Sequence, residues 1–295
     1  MNGKRGRREA VGAAWVMVLM LCAPAAEAAP DLLQGRLVYS RLSDGTWQIW
    51  QTDLGTGQRT QLTSSAGDKR YPSMTPDGRV TYCTNNQQCY VLDNEHGAVH
   101  PLLQELWPLR DVAWSPDETR VAFSKVRTDL VDSANLWVAD PSGAARRMLT
   151  NQAGIQYNPN WSSDGQRLAY VGGHGYGTYE IYAMDAAGGE PRQLTNNSSH
   201  EFLPAWSPDG RRIAFASDAS GNYDIWVMAA DGSSPTQLTA APGLDIRPAW
   251  SPDGRFIAFT TNRTGTLQIW VVRPDGTDQH VLEQADGGVC DPVWR

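Results

Sequence analysis

Residues able to do chemistry are scattered along this chain rather than gathered into a motif. Five histidines stand at 96, 100, 174, 200 and 280. His96, His100 and His280 fall in tight turns or on outer-strand positions of the repeat described below, where a solvated surface role suits them. His174 and His200 belong to loops of variable length, in different copies of the repeat and without a matching third ligand. There is no H-E-x-x-H, no Cys/His pair at zinc spacing and no EF-hand loop. A G-x-S-x-G nucleophile elbow is also missing. No metal, no cofactor and no catalytic residue is therefore expected. The run Gly172-Gly-His-Gly-Tyr-Gly177 has the glycine density of a phosphate loop, but it lies between two predicted strands and not between a strand and a helix.

Two sets of residues remain. One is the aspartates of a recurring W-S-P-D-G phrase, found at Trp206–Gly210 and Trp250–Gly254 and, with small changes, at Trp161–Gly165, Trp114–Glu118 and Met74–Gly78. Pro pre-sets φ, Asp can bond its own backbone and Gly accepts positive φ, so the phrase reads as a tight turn. Its sameness points to one structural job done repeatedly. The other set is the polar residues just ahead of each copy: Arg70, Asp111, Asn158, Glu201, Asp245, Arg247 and Asp291. These differ from copy to copy. Two readings fit them: a mixed-charge channel mouth that receives a peptide or loop, and solvated channel walls.

The elements that must position these residues follow from the spacing. The anchors 74, 114, 161, 206, 250 and 294 lie 40, 47, 45, 44 and 44 residues apart, the length of one four-stranded propeller blade. In residues 245–282 the strands read as Pro248–Trp250, Arg255–Thr260, Leu267–Val272 and Gln279–Leu282, here called a, b, c and d. Strand b is rich in β-formers. The Q-L-T phrase of strand d recurs at Gln61–Thr63, Gln193–Thr195 and Gln237–Thr239. Residues 36–63 hold strands b, c and d without an a, while Pro292–Arg295 holds an a alone. The expected fold is thus an all-β, six-bladed β-propeller, its ring closed by Pro292–Arg295 completing the first blade.

Length variation sharpens this reading. From the aromatic column of strand b to the aliphatic column of strand c the gaps are 10 (Tyr39–Ile49), 6 (Cys83–Cys89), 13 (Phe123–Leu136), 11 (Tyr170–Ile181), 10 (Phe215–Ile225) and 10 (Phe259–Ile269). All variation is therefore expected in the b–c loops, which share one face with the d–a connections. Variable loops on a rigid scaffold are the usual place for recognition.

Residues 1–28 read as a cleaved signal peptide: Lys4, Arg5, Arg7 and Arg8 head the apolar run Val11–Ala23, and Ala26-Glu27-Ala28 is a small-x-small site. A retained anchor is the other reading. Residues 29–35 form a short lead and residues 36–295 the propeller. Removing residues 1–28 takes four of the 25 Lys/Arg and two of the 32 Asp/Glu, leaving 21 against 30 and a net charge of −9. That acidity argues against nucleic acid as a partner, and no second long apolar run offers a membrane span. Three cysteines remain, Cys83, Cys89 and Cys290. Cys83 and Cys89 face each other in one hairpin, either as a disulfide or as two buried thiols, and Cys290 is left over near the axis.

The unit P-x-W-S-P-D-G-x-x-I-A-F … I-W-x-M-x-x-D-G … Q-L-T, matched almost throughout by Pro204–Thr239, resembles the repeat of the TolB propeller family. The resemblance covers Arg36–Arg295. It implies a periplasmic, non-enzymatic, monomeric protein-binding propeller of the Tol–Pal type, with an envelope protein, a Pal-like lipoprotein or a peptide as partner near the channel mouth. Members of that family carry an N-terminal α/β domain ahead of the propeller, and here only Ala29–Gly35 precede the first strand. Propeller lyases and prolyl-oligopeptidase relatives use similar repeats. An enzyme acting on polysaccharide or peptide in the channel, and a detached propeller gating a hydrolase, are the alternatives.

Overall fold

The computed structural model describes residues 33–93, 97–126, 133–173 and 177–295. The signal-peptide reading, His96, His174 and the middle of the glycine run lie outside the described residues. Every strand has a reason in the repeat. Strands β1 (Arg36–Ser43), β2 (Thr46–Asp53) and β3 (Arg59–Gln61) begin the first sheet. The second holds β4 (Lys69–Met74), β5 (Val80–Thr84), β6 (Cys89–Leu92) and β7 (Val99–Leu102). Then come β8 (Arg110–Trp114), β9 (Val121–Val126), β10 (Ala134–Ala139) and β11 (Arg146–Met148), and β12 (Ile155–Trp161), β13 (Arg167–Gly173), β14 (Tyr179–Asp185) and β15 (Arg192–Gln193). A further sheet holds β16 (Glu201–Trp206), β17 (Arg212–Ser217), β18 (Asp224–Ala229) and β19 (Thr236–Gln237), and another β20 (Asp245–Trp250), β21 (Ile257–Thr261), β22 (Gln268–Val272) and β23 (His280–Glu283). The last strand, β24 (Val289–Trp294), pairs antiparallel with β1, Leu37 opposite Trp294, in the order β24-β1-β2-β3.

The protein is an all-β propeller, but the expected set of six four-stranded blades is corrected. Hydrogen bonding among the described residues gives four separate four-stranded sheets and one eight-stranded sheet that runs from β8 to β15. The join is a parallel bridge between Ala134 of β10 and Ile155 of β12. The Ala134 amide donates to the Gly154 carbonyl at 3.2 Å, the Ser133 hydroxyl to the same oxygen at 3.0 Å, and Asn135 Nδ2 to Gln156 Oε1 at 3.0 Å. The longest b–c connection thus starts β10 early enough to meet the next inner strand.

The W-S-P-D-G turns are braced identically. Ser207 Oγ donates to Asp209 Oδ1 at 2.6 Å and accepts the Arg212 amide at 2.9 Å, while the Arg211 amide donates to Asp209 Oδ1 at 3.0 Å. Ser115, Ser162 and Ser251 hold Asp117, Asp164 and Asp253 in the same way. The serine hydroxyl first, and the turn amides after it, hold Asp117, Asp164 and Asp209 below the ordinary carboxylate range. The repeated tryptophans tie neighbouring inner strands together: Trp250 Nε1 donates to the Ala205 carbonyl of β16 and Trp161 Nε1 to the Ala113 carbonyl of β8, each at 3.0 Å. Arginines Arg120, Arg167 and Arg212 lie 4.5–4.7 Å over Trp161, Trp206 and Trp250. The Q-L-T threonine is a brace too: Thr63, Thr150, Thr195 and Thr239 accept the amides of Ile49, Leu136, Ile181 and Ile225 at 2.8–2.9 Å. The core lies between sheets, as in the cluster of Ile225, Leu238, Trp250, Ile257 and Phe259.

One register was displaced in the sequence reading. Tyr82 pairs with Tyr90 as Tyr39 pairs with Trp50 and Phe259 with Trp270, so Tyr82, not Cys83, continues the aromatic column. That gap is seven residues, and one deleted residue falls in the a–b turn instead. There the Thr75 amide bonds Arg79, four residues on, whereas Ser115, Ser162, Ser207 and Ser251 each bond five residues on. Cys83 and Cys89 are direct cross-strand partners joined by a disulfide, with Cα atoms 4.1 Å apart. Cys290 is a free, buried thiol, and burial pushes its pKa up.

Candidate functional site

The inner strands share a feature that no residue pattern announced. Each carries a register shift, and the residue at the shift takes positive φ: Tyr71 (56°), Asp111 (53°), Asn158 (51°), Leu203 (57°), Arg247 (58°) and Asp291 (58°). These are β-bulges, in which an extra residue re-aims the backbone. All but Asp111 precede a proline, whose usual preference for an extended predecessor hides the bulge in sequence.

These residues form a waist between two cavities. One, of about 650 Å³, opens among the a–b turns and is lined by Pro76, Pro116, Pro208 and Pro252. The other, of about 850 Å³, opens among the b–c loops and d–a connections and is lined by Asn85, Tyr157, Phe202, Tyr223, Leu244 and Ile246. Tyr71, Asp111, Asn158, Leu203 and Arg247 line both. The near-identical turns thus border one opening and the variable loops the other.

The seven polar residues singled out by sequence lie inside the inner strands, not ahead of them. Arg70, Arg247 and Asp291 come together: Arg70 Nε is 2.8 Å from Asp291 Oδ2 and Arg247 Nε 2.8 Å from Asp291 Oδ1. Ser40 Oγ donates to Asp291 Oδ2 at 2.9 Å. Burial alone would raise the Asp291 pKa, but Arg247 and Arg70 hold it down at about 2. For Arg70, burial works against the charge and Asp291 more than offsets it, so the pKa is raised. Asp111 accepts the Asn158 amide at 3.3 Å, and burial pushes its carboxyl above the ordinary range against the opposing charge of Arg247.

Glu201 and Asp245 are a correction. They begin β16 and β20 with 1% and 0% exposure, away from the cavity wall on which the sequence set them. Their position in the strand points them into the junction with the preceding sheet. Asp245 pairs there with Arg263 at 2.7 Å. Glu201 meets the buried Glu180 instead, with Asn197 between them: Asn197 Nδ2 donates to Glu201 Oε1 and its amide to Glu180 Oε1, each at 3.1 Å. Neither glutamate forms an ion pair among the described residues. Burial first, and Glu180 with it, pushes Glu201 up to about 7.

Sequence reasoning missed an aromatic cluster on the variable-loop side. Tyr157, Tyr179, His200, Phe202 and Tyr223 stand in a chain of ring contacts, with centroids 5.1–6.2 Å apart. All are partly exposed. The signal was one column away from the polar residues: Tyr157, Phe202 and Ile246 each stand two residues before an inner-strand proline. His200 is occupied in this cluster, its Nδ1 accepting the Tyr179 amide at 3.3 Å. His100 is exposed on β7, and His280 Nδ1 is 3.1 Å from Asp278. Among the described residues no three His, Cys, Asp or Glu side chains are grouped to hold a metal ion, and no helix is long and apolar enough to cross a membrane.

A profile of the TolB beta propeller domain matches residues 117–295. The Tol-Pal system protein TolB of Anaeromyxobacter dehalogenans (strain 2CP-1) is 31% identical over 136 residues, which is 45% of this chain and 30% of that protein. The chain therefore matches less than a third of that relative's length. Among solved structures, TolB from Acinetobacter baumannii is similar with a TM-score of 0.77 at 23% identity, covering 88% of this chain and 66% of that one. An oligogalacturonate lyase in complex with manganese reaches a TM-score of 0.62 at 16% identity, over 85% of this chain and 74% of that one. At such identities the two structures speak for the fold alone. The repeat, the sheets around a waisted channel and the profile over most of the chain agree, and this chain belongs to the TolB beta propeller domain family.

Proposed function

We propose that the chain is a non-enzymatic, protein-binding propeller of the cell envelope that receives a segment of an envelope protein or lipoprotein in the cavity among its variable loops. The observation that carries this reading is the cavity of about 850 Å³, walled by partly exposed aromatic and aliphatic side chains that change from strand to strand. Apolar walls with a few convergent polar groups are the usual make-up of a binding pocket, and aromatic anchors dominate binding energy at protein interfaces. The relative named as a Tol-Pal system protein supports an envelope role. In this reading residues 1–28 direct export to the periplasm and are removed, residues 29–35 are a short lead, and residues 36–295 act as a monomeric propeller. Asp111, Asn158 and Arg247 supply the polar contacts from the cavity wall, with Asp291 fixing Arg247 and its neighbour Arg70 from behind.

The test is affinity capture from a detergent extract of the cell envelope, with the wild-type chain and a Phe202→Ala, Tyr223→Ala variant as parallel baits. One saturable protein partner that the variant loses by at least about tenfold, as for loss of interface anchors, is the expected result. A partner retained equally by the variant would remove the cavity from the account. Turnover of a polysaccharide or peptide by the purified chain would replace it with an enzyme.

A further inference from the structure

Asp291 holds two arginines with one carboxylate, and the consequence lies on their other side. Its side chain is 3% exposed, those of Arg70 and Arg247 are 22% and 27% exposed, and each Nε is 2.8 Å from a different carboxylate oxygen. Both guanidinium groups also lie over the ring of Tyr71, at 5.3 Å and 4.7 Å, and Arg70 lies over Trp47 at 4.4 Å. Arg70 is therefore held by a hydrogen bond from its inner nitrogen, Arg247 by an ion pair at its inner nitrogen, and both by their flat faces. The two terminal nitrogens of each donate no hydrogen bond among the described residues.

Two guanidinium groups against one carboxylate leave one positive charge. A planar fork with free N–H groups is matched to a carboxylate, which it can grip with two parallel bonds. Ordering long side chains is the usual cost of such a grip, and here Asp291 and Tyr71 have already met it.

We propose that Arg247, which lines both cavities, and Arg70, joined to it through Asp291, form a receptor for a single carboxylate group at the waist of the channel. A monoanion balances the surplus charge, whereas a phosphate dianion overshoots it. The carboxylate comes from an acidic side chain or the C-terminus of the protein segment assigned to the neighbouring cavity. That source rests on the binding reading above, but the chemistry of the receptor does not. Tyr71 becomes the hinge of the site, since both guanidinium groups lie over its ring and it lines both cavities.

The experiment follows the arginine Nε–Hε signals of the ¹⁵N-labelled protein by NMR at fixed ionic strength. The probes are N-acetyl-glutamate amide, N-acetyl-glutamine amide and inorganic phosphate. The expected result is a saturable shift at Arg70 and Arg247 with the glutamate compound, Kd on the order of 1–10 mM, none with the glutamine compound, and weaker binding of phosphate. Arg247→Asn should weaken the glutamate compound by about tenfold or more, the loss of a charge-assisted pair. Asparagine tolerates the positive φ there, as Asn158 does at the equivalent place. Arg70→Lys keeps the charge but not the fork and should weaken binding as well. Equal shifts from both amides, no saturable shift, phosphate binding tighter than the glutamate compound, or an unchanged Arg247→Asn variant would each overturn the receptor. A receptor that binds the glutamate compound while capture yields no protein partner would leave this site standing and remove the protein as its source.

Discussion

Replacing Asp291 by asparagine should lower the melting temperature by roughly 6 °C at neutral pH, with φ held constant as a control built into the substitution. Asparagine is nearly the same size and accepts the +58° backbone, so the change isolates the charge. The magnitude follows from two routes. The Asp291 carboxyl is held at about 2 against an ordinary 3.8, a difference worth about 2.5 kcal/mol of native-state stabilisation. Breaking a buried pair by removing one partner costs about 3–5 kcal/mol, and the partial exposure of both arginines places this case near the low end, about 3 kcal/mol. At about 2 °C per kcal/mol for a domain of this size the shift is about 6 °C. The pH dependence has a definite sign. A carboxyl with a lowered folded-state pKa contributes its full stability above the unfolded value of 3.8 and loses it as pH falls through 2. The gap between wild type and variant should therefore be full at pH 7 and shrink between pH 4 and pH 2. Thermal unfolding followed by circular dichroism across that range is the assay. A variant melting within about 1 °C of wild type, or a gap as wide at pH 2 as at pH 7, would refute Asp291 as the electrostatic hub of the channel.

Three other outcomes follow from the same structure. Ser207→Ala removes the hydroxyl that accepts the Arg212 amide and braces Asp209, leaving a buried amide unsatisfied; urea unfolding should show a loss of about 1–2 kcal/mol. Reducing the Cys83–Cys89 bridge opens a loop with a sequence separation of 6 and should cost about 2 kcal/mol by loop entropy, measured as a lower melting temperature in reductant that Cys83→Ser does not show further. Glu201, raised to about 7, has the opposite sign to Asp291: an acid with a raised folded pKa stabilises below its unfolded pKa and loses that stability as pH rises through 7. Glu201→Gln should therefore flatten the fall in stability between pH 5 and pH 8 and melt above wild type at pH 8.

Much of this fold was legible because the repeat speaks in turn chemistry. Ser, Pro, Asp and Gly in W-S-P-D-G act as their types require, and the threonine of Q-L-T braces the strand beside it. What escaped the sequence has particular causes. The bulges at Asn158, Leu203 and Arg247 sit before prolines, where extended backbone is the ordinary expectation. The merging of two units into one eight-stranded sheet depends on Ala134 meeting Ile155, a contact set by loop length and not by any pattern within either strand. The missing residue of the Thr75–Arg79 turn was charged to the loop before Cys89 because Tyr82 and Cys83 both suit a buried column. At the cavity, the differing polar residues share the inner strands with its walls, but Glu201 and Asp245 face a junction while the aromatic neighbours Tyr157 and Phe202 face the cavity. Period two along a strand sends adjacent residues to opposite sides, so a column displaced by one selects the wrong wall.

The central claim is that binding belongs to the variable-loop opening and not to the face of repeated turns. Hydrogen exchange on the captured partner complex tests it most directly. Protection concentrated around Tyr157, Phe202, Tyr223 and Leu244, with the turns at Ser162–Gly165, Ser207–Gly210 and Ser251–Gly254 exchanging as in the free protein, is the predicted result. Protection of those turns with the loop side unchanged would contradict it.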